Sequence, residues 1–181
     1  MKLSGRSFVV VATILFAITA AAGAQVRIDV NISKPLYLGA GSTASGGPVD
    51  LGSIDVTAAW VFFPEVQLYY QFGGEALHAG VGVRVFTFIL QSILYPAAYV
   101  ELELGPVVAN LNVGGGWFGT FGLAGTGSQA GAVFFPDLNV GFNLTPWFRL
   151  GGGVYAAWAK AIPEGFLYAV YVDARFIVVL K

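Results

Sequence analysis

From residue 26 onward, apolar and polar positions alternate. Residues 26–33 set Val26, Ile28, Val30 and Ile32 on one side and Arg27, Asp29, Asn31 and Ser33 on the other. Period two is the signature of a strand with one apolar and one polar face. The alternation returns over 54–72, where Trp60, Phe62, Val66, Leu68, Tyr70 and Phe72 oppose Asp55, Glu65, Gln67 and Gln71. It returns again over 77–85, 98–104, 107–113, 137–143, 148–155 and 168–178. The pattern predicts eight strands. Three connections are short and rich in glycine or proline, at 72–76, 104–107 and 144–147, as tight turns require. Four longer ones, at about 39–53, 89–95, 115–130 and 159–166, alternate with them. Short turns at one end and long loops at the other are the layout of an up-and-down barrel with both termini on the turn side.

The same stretch makes poor helices. A membrane-spanning helix needs about 20 apolar residues. Residues 85–100 are uncharged but contain Gln91, Ser92 and Pro96, and nine of residues 104–136 are glycine. A weak internal repeat supports the strand reading: 61–72 resembles 133–144, and 77–83 resembles 148–154, with apolar and polar faces in step. Pro64 and Pro136 fall at matching places inside the two hairpins. Each is expected to mark a bulge or a lost ladder bond, because proline has no N–H to donate.

Composition then says what surrounds the barrel. The chain of 181 residues is 56% hydrophobic and only 10% charged, with one histidine and no cysteine. Disorder is excluded by the hydrophobicity. Disulfides, a cysteine nucleophile and cysteine-ligated metal are excluded by the missing thiols. A net charge of −1 without a basic run excludes ordinary nucleic-acid binding. The placement of the charges is more informative than their number. Arg27, Asp29, Asp55, Glu65, Arg84, Glu101, Glu103, Asp137, Arg149, Asp173 and Arg175 all share the polar face of a strand. Lys34 alone has apolar-face parity, at a strand end beside Pro35 where its amine can reach an interface. A soluble ligand-carrying barrel has the reverse arrangement, apolar inside and polar outside. An apolar outer face suits lipid, where a mid-strand charge costs about 2–4 kcal/mol. Aromatic residues on that face gather near both strand ends: Trp60, Phe62, Phe134, Trp158 and Tyr168 toward the loops, and Tyr70, Phe72, Phe142, Phe148 and Phe176 toward the turns, with Trp147 in a turn beside them. Two such belts mark the two membrane interfaces.

The N-terminus reads as an address. Lys2 and Arg6 precede the apolar stretch 8–21, and Ala22, Gly23 and Ala24 follow as small residues. This predicts a secretory signal peptide cleaved after Ala24, with 25–181 as one barrel domain. Removing Lys2 and Arg6 from the 9 basic residues leaves 7 against 10 acidic ones, a charge of −3.

Residues 138–155 run through a glycine-bearing strand, a Leu-Thr-Pro turn and a second strand with three consecutive glycines. With the eight-strand pattern, they make the chain resemble the small eight-stranded outer-membrane barrels, the transmembrane domain of OmpA, OmpX and the OmpW-like proteins. The resemblance implies an all-β, eight-stranded antiparallel up-and-down transmembrane barrel in the outer membrane of a diderm bacterium. Its implied partners are outer-membrane lipids and the outer-membrane assembly machinery. Such barrels usually end in an aromatic residue, whereas this chain ends in Leu180 and Lys181.

Candidate chemistry is sparse. Residues 114–119 fit a G-x-G-x-x-G string but lack the following helix of a dinucleotide site, so they are read as a mobile loop. His78 has no serine on its strand to act with, and its expected role is a hydrogen bond to Glu103. No cofactor, metal or catalytic site is expected. The candidate site is the lumen charge network of Arg27, Asp29, Arg84, Glu101, Glu103, Arg149, Asp173 and Arg175. Arg27 and Asp29 are expected to face Asp173 and Arg175 where the barrel closes, and Arg84 to meet Glu101. An eight-stranded lumen is just wide enough for side chains to fill. The network is therefore either a salt-bridged plug in a structural or surface-presenting protein, or the lining of a narrow OmpW-like path for small apolar or ionic solutes. Gly80, Gly82, Gly141, Gly151 and Gly153 remove side chains from the lumen and leave room for a watery pocket. The loops carry no ligand motif, and any external ligand is unknown.

Overall fold

The computed structural model describes residues 25–42, 49–88, 90–159 and 165–180. The expected signal segment, and parts of the first and last loops, lie outside them. The strands are β1 (Gln25–Ser42), β2 (Val49–Asp55), β3 (Phe63–Gly73), β4 (Leu77–Phe88), β5 (Gln91–Leu104), β6 (Val107–Gly122), β7 (Gly127–Thr145), β8 (Phe148–Ala159) and β9 (Gly165–Leu180). Each pairs antiparallel with its neighbour, and β1 pairs with β9 from Val26↔Leu180 to Ser42↔Gly165. β2 and β3 lie end to end along one edge of β1. The wall is therefore a closed eight-strand barrel whose second strand is broken.

The break corrects the single strand expected over 54–72. Seven residues, 56–62, stand opposite only Lys34, Pro35 and Leu36. Local chemistry causes it. The Thr57 N–H and hydroxyl both donate to Asp55 Oδ1, at 2.8 and 2.7 Å, and Ala59 N–H donates to Val56 O. These are turn bonds that compete with the ladder. Across from them β1 bulges between Pro35 and Tyr37, and the freed Leu36 carbonyl accepts Val56 N–H. A bulge shifts parity by one. Asp55 consequently stands opposite the exposed Tyr37, and Ile54 opposite Leu38. That is the reverse of the faces expected for them. Trp60 falls in the excursion, 90% exposed, rather than on a strand.

Two of the expected long loops are also strand. Residues 91–95 belong to β5, and 115–122 with 127–130 extend β6 and β7. Glycine-rich 114–127 interleaves Trp117, Phe118, Thr120 and Phe121, good strand formers. Its tip is tied down: Leu123 N–H donates to Leu90 O, Gln91 Nε2 to Gly125 O, and Ala124 N–H to Gln91 Oε1. It is not the free loop expected. Irregularities take up the misfits: residues 95–96 of β5 stand opposite 115–118 of β6, and the β6–β7 ladder shifts between Gly115 and Trp117, where Gly116 has φ 81°. The prolines of the repeat behave as expected. The β3–β4 ladder begins only after Pro64, and the β7–β8 ladder skips Phe135 and Pro136.

Inside and outside are sorted as the alternation predicts. Arg27, Asp29, Asn31, Glu65, Gln67, Asn110, Asn112 and Asn139 are buried, while Val30, Ile32, Val66, Leu68, Val81, Leu111, Leu138 and Val140 are exposed. In water, each such exposed side chain would forgo about 1.5–3 kcal/mol of burial. Against hydrocarbon the wall is at rest. Two aromatic clusters bound it on β7 to β9. Phe134, Trp158, Phe166 and Tyr168 are linked by ring contacts of 6.0, 4.9 and 6.2 Å, and Trp147, Phe148 and Phe176 by contacts of 4.9–6.2 Å. Phe166 and Phe176 are ten residues apart on β9. At about 3.3 Å per residue and a tilt near 40° they lie about 25 Å apart along the axis, the height of a barrel's apolar band.

Leu138, midway between Phe134 and Phe142 and 54% exposed, is the sensitive point of that band. Replacing Leu138 with Arg is expected to cost about 2–4 kcal/mol in denaturant unfolding from lipid vesicles. Leu123→Arg at the 82%-exposed hairpin tip is expected to stay within about 0.5 kcal/mol.

Candidate functional site in the barrel lumen

The lumen holds two charge clusters stacked along the axis. The lower one, toward the turns, centres on Glu101 of β5, which is 0% exposed. Arg27 of β1 reaches it with Nη1–Oε1 2.8 Å, and Arg149 of β8 with Nη1–Oε2 2.8 Å. β1 and β8 each stand three strands from β5 around the wall, so both contacts cross the lumen. Asn110 Nδ2 donates to the same carboxylate at 3.0 Å. Arg27 also grips Asp29 with two bonds of 2.8 and 2.9 Å, and Arg149 Nε donates to Asn143 at 2.8 Å. Arg175 of β9 adds Asp173 at 3.4 Å and Asp29 at 3.8 Å. The closing seam thus carries the expected contact between Asp29 and Arg175, while Arg27 turns away across the lumen.

The upper cluster centres on Arg84 of β4. Its Nε donates to Glu65 of β3, and its Nη2 lies 2.9 Å from Asp137 Oδ2 of β7, again three strands away. The Tyr171 hydroxyl donates to the other oxygen of Asp137 at 2.5 Å. Asn139 Nδ2 donates to Asp173 at 2.9 Å and links the two levels. The expected contact between Arg84 and Glu101 is not made. Register explains why: Arg84 stands opposite Tyr95, and Glu101, six residues further along β5, stands opposite His78. At about 3.3 Å per residue that is nearly 20 Å. Glu103 sits at the lower rim, 3.7 Å from Arg149 and 3.9 Å from His78, so the His78–Glu103 neighbourhood exists, but at ion-pair rather than hydrogen-bond distance.

Glu65 and Asp137 face inward as the alternation predicts, and the structure adds both to the network. The signal for them lies in the repeat. Each is the residue after the strand proline and stands opposite an aromatic residue, Phe86 and Tyr155, where Glu65 opens the β3–β4 ladder and Asp137 resumes the β7–β8 ladder, and the two carboxylates hold Arg84 between them. Those two rings stack 5.7 Å apart and within 3° of parallel. With Phe63 and Phe135 they form an aromatic layer above the ion pairs.

The lumen glycines do not leave the pocket expected of them. A Cβ on Gly80 would fall 2.5 Å from the Tyr99 ring, one on Gly141 2.6 Å from Arg149 Cδ, and one on Gly151 2.7 Å from Asp173 Oδ1. A Cβ on Gly153 would fall 2.8 Å from the Tyr171 hydroxyl, and Gly82 lies against the β3 backbone. Glycine makes room here for a neighbour's long side chain. Open space of about 200 Å³ lies instead in the loop-side half, above Arg84.

Removing one partner from a buried ion pair costs about 3–5 kcal/mol, because the other charge is stranded. Glu101→Ala removes the carboxylate shared by Arg27 and Arg149, leaving them Asp29 and Glu103, and is expected to destabilise the refolded barrel by about 3–5 kcal/mol in urea titration. Glu103→Ala, at the partly exposed rim, is expected to cost less than about 1 kcal/mol.

Neither a family model nor a curated protein sequence matches the chain. Among solved structures it is similar to neisserial surface protein A, at 12% identity over 83% of this chain and 96% of that one, with a TM-score of 0.47. It is also similar to the N-terminal β-barrel domain of Pseudomonas aeruginosa OprF, at 8% identity over 85% and 97% with a TM-score of 0.47. A third is Ail, the attachment invasion locus protein of Yersinia pestis, at 10% identity over 84% and 98% with a TM-score of 0.37.

Proposed function

We propose that the chain is an integral outer-membrane barrel with a structural or surface-presenting, non-enzymatic role, and that its lumen is closed to ions. The observation that carries this reading is Glu101, fully buried and held from opposite walls by Arg27 and Arg149. An ion following the axis would have to separate these charges in a low-dielectric interior, where their attraction is strong. The apolar outer wall and its two aromatic clusters support insertion in a bilayer, with lipid as the first partner. The assembly machinery of the outer membrane would deliver it there, and ligands of the loop end remain open to discovery. The surroundings of His78 favour a non-enzymatic role over lipid hydrolysis: the notch beside it is lined by Gln25, Gln71, Phe72, Gly73, Gly74 and Glu75, with no serine among these described residues.

A second reading, a narrow path for small solutes, has the loop-side cavity in its favour. That path would have to cross Arg84 with its two carboxylates and then Glu101. Planar bilayers decide between the two. The refolded protein is expected to show no steady single-channel current. A variant with Arg27, Glu101 and Arg149 all changed to Ala is expected to give small discrete conductances. Sustained conductance from the unaltered protein overturns the closed-lumen reading.

A further inference from the structure

The cavity above Arg84 has a definite chemistry. Its walls are mainly apolar, with Phe86, Tyr155, Ala157 and Ala169 among them, and its floor is Arg84 with Glu65 and Asp137. Two residues of this lining each carry a buried polar atom without a hydrogen-bond partner: Arg84 its donor Nη1 and Asn31 its acceptor Oδ1. Both residues are only 2% exposed. An unpaired buried donor or acceptor costs about 1–3 kcal/mol, so a ligand group that reached them would be stabilised by satisfying them.

We propose that this cavity is a binding site for a small neutral aromatic alcohol, with the ring against Phe86 and Tyr155 and the hydroxyl toward Arg84 and Asn31. A hydroxyl is the smallest group that both accepts and donates, matching one free donor and one free acceptor. A volume of about 200 Å³ is a little above the roughly 150 Å³ that holds benzene in an engineered apolar cavity. It fits one substituted ring. The stacked Phe86 and Tyr155 rings offer a third ring offset-stacked or edge-on contact. Anionic analogues are disfavoured, because the floor sets two carboxylates, Glu65 and Asp137, against one guanidinium. The site rests on the closed-lumen reading only in being a dead end: ligand enters and leaves on the loop side, above the ion pairs.

The test uses the full chain refolded in detergent, with isotope-labelled alanine methyls, titrated with p-cresol, toluene and benzoate. Ala157 and Ala169 line the cavity, while Ala98 is exposed on the outer wall. The expected result is a saturable shift of the Ala157 and Ala169 methyls with p-cresol and none at Ala98. Toluene should bind about tenfold more weakly, the loss for one buried hydroxyl, and benzoate should leave the methyls unmoved. Ala169→Leu, which fills the cavity, should abolish the Ala157 shift; if that variant does not refold, Ala157→Val with the Ala169 methyl as reporter replaces it. Shifts that never saturate or that include Ala98 report partition into detergent and overturn the proposal. Absence of any shift, toluene equal to p-cresol, or binding of benzoate overturns it as well. A barrel that keeps heat-modifiable migration and zero conductance through such a failure separates this failure from that of the membrane and closed-lumen reading.

Discussion

In a barrel of eight strands the opposite walls are close enough for side chains from each to meet on the axis, and Glu101 is where that proximity is used most fully. Its carboxylate receives Arg27 from one side and Arg149 from the other, with Asn110 beside it. Side chains that meet on the axis leave inward polar groups to find most of their partners among themselves, some on the same strand, as Arg27 does with Asp29, and some across the lumen, as it does with Glu101. This requirement accounts for the chain's unusual use of charge. Four arginines face inward, and each has at least two carboxylates within 4 Å. The pairs run across the lumen and along the closing seam of β1 and β9, and so tie together strands that are far apart in sequence. Breaking closure would strand charges as well as expose ladder groups. In hydrocarbon neither could turn to water.

The outer wall follows from the same closure. Once the backbone is satisfied around the ring, its outward face needs no polar group, and Val, Leu, Ile and Phe occupy it between the two aromatic clusters. Several strands are longer than that band requires. β7 has 19 residues and β1 has 18, against about 9–11 for a tilted crossing. The surplus stands at the loop end, where β6 and β7 continue as a hairpin anchored on Leu90 and Gln91. Among the described residues, that strand surplus makes up much of the loop side.

Facing and partnering were legible in the sequence to different degrees. Which residues point inward follows from parity, a local property, and parity held wherever the strand ran without interruption. It failed at Asp55 and Ile54, because the bulge after Pro35 and the Asx turn at Asp55 each reset the count. Which inward residues touch depends on stagger between strands, and no local pattern carries that. Strand adjacency alone pairs Arg84 with Glu101, yet the two lie six positions out of register. The repeat did carry part of the answer. Matching prolines followed by Glu65 and Asp137 imply equivalent heights in the barrel, and two carboxylates at one height call for a cation between them. Glycine reads as a breaker throughout 115–130, yet its neighbours Trp117, Phe118, Thr120 and Phe121 are strand formers and carry the ladder on.

The glycines show how the interior is filled without strain. Register sets Gly82 opposite Tyr69, Gly80 opposite Tyr99 and Gly153 opposite Tyr171, and the Tyr95 ring lies over Gly114. Each of these four tyrosines therefore lies beside a residue with no side chain, so its ring can lean across the neighbouring strand. The outer face repeats the device, with Tyr168 over Gly39 and Phe166 over Gly41. Large-on-small pairing keeps the volume between adjacent strands nearly constant, which a cylinder of fixed radius demands. It also covers glycine's bare backbone, the weak point of a strand. Where the pairing lapses, space opens. Beside the loop-side cavity Phe86 stands opposite Glu65 and Tyr155 opposite Asp137. Ring and carboxylate cannot lie over one another, so the rings of β4 and β8 stack on each other instead. The small Ala157 and Ala169 beyond them do not fill what is left. The cavity is thus a consequence of the repeat that fixes Arg84, and its aromatic wall and its unpaired guanidinium nitrogen have the same origin.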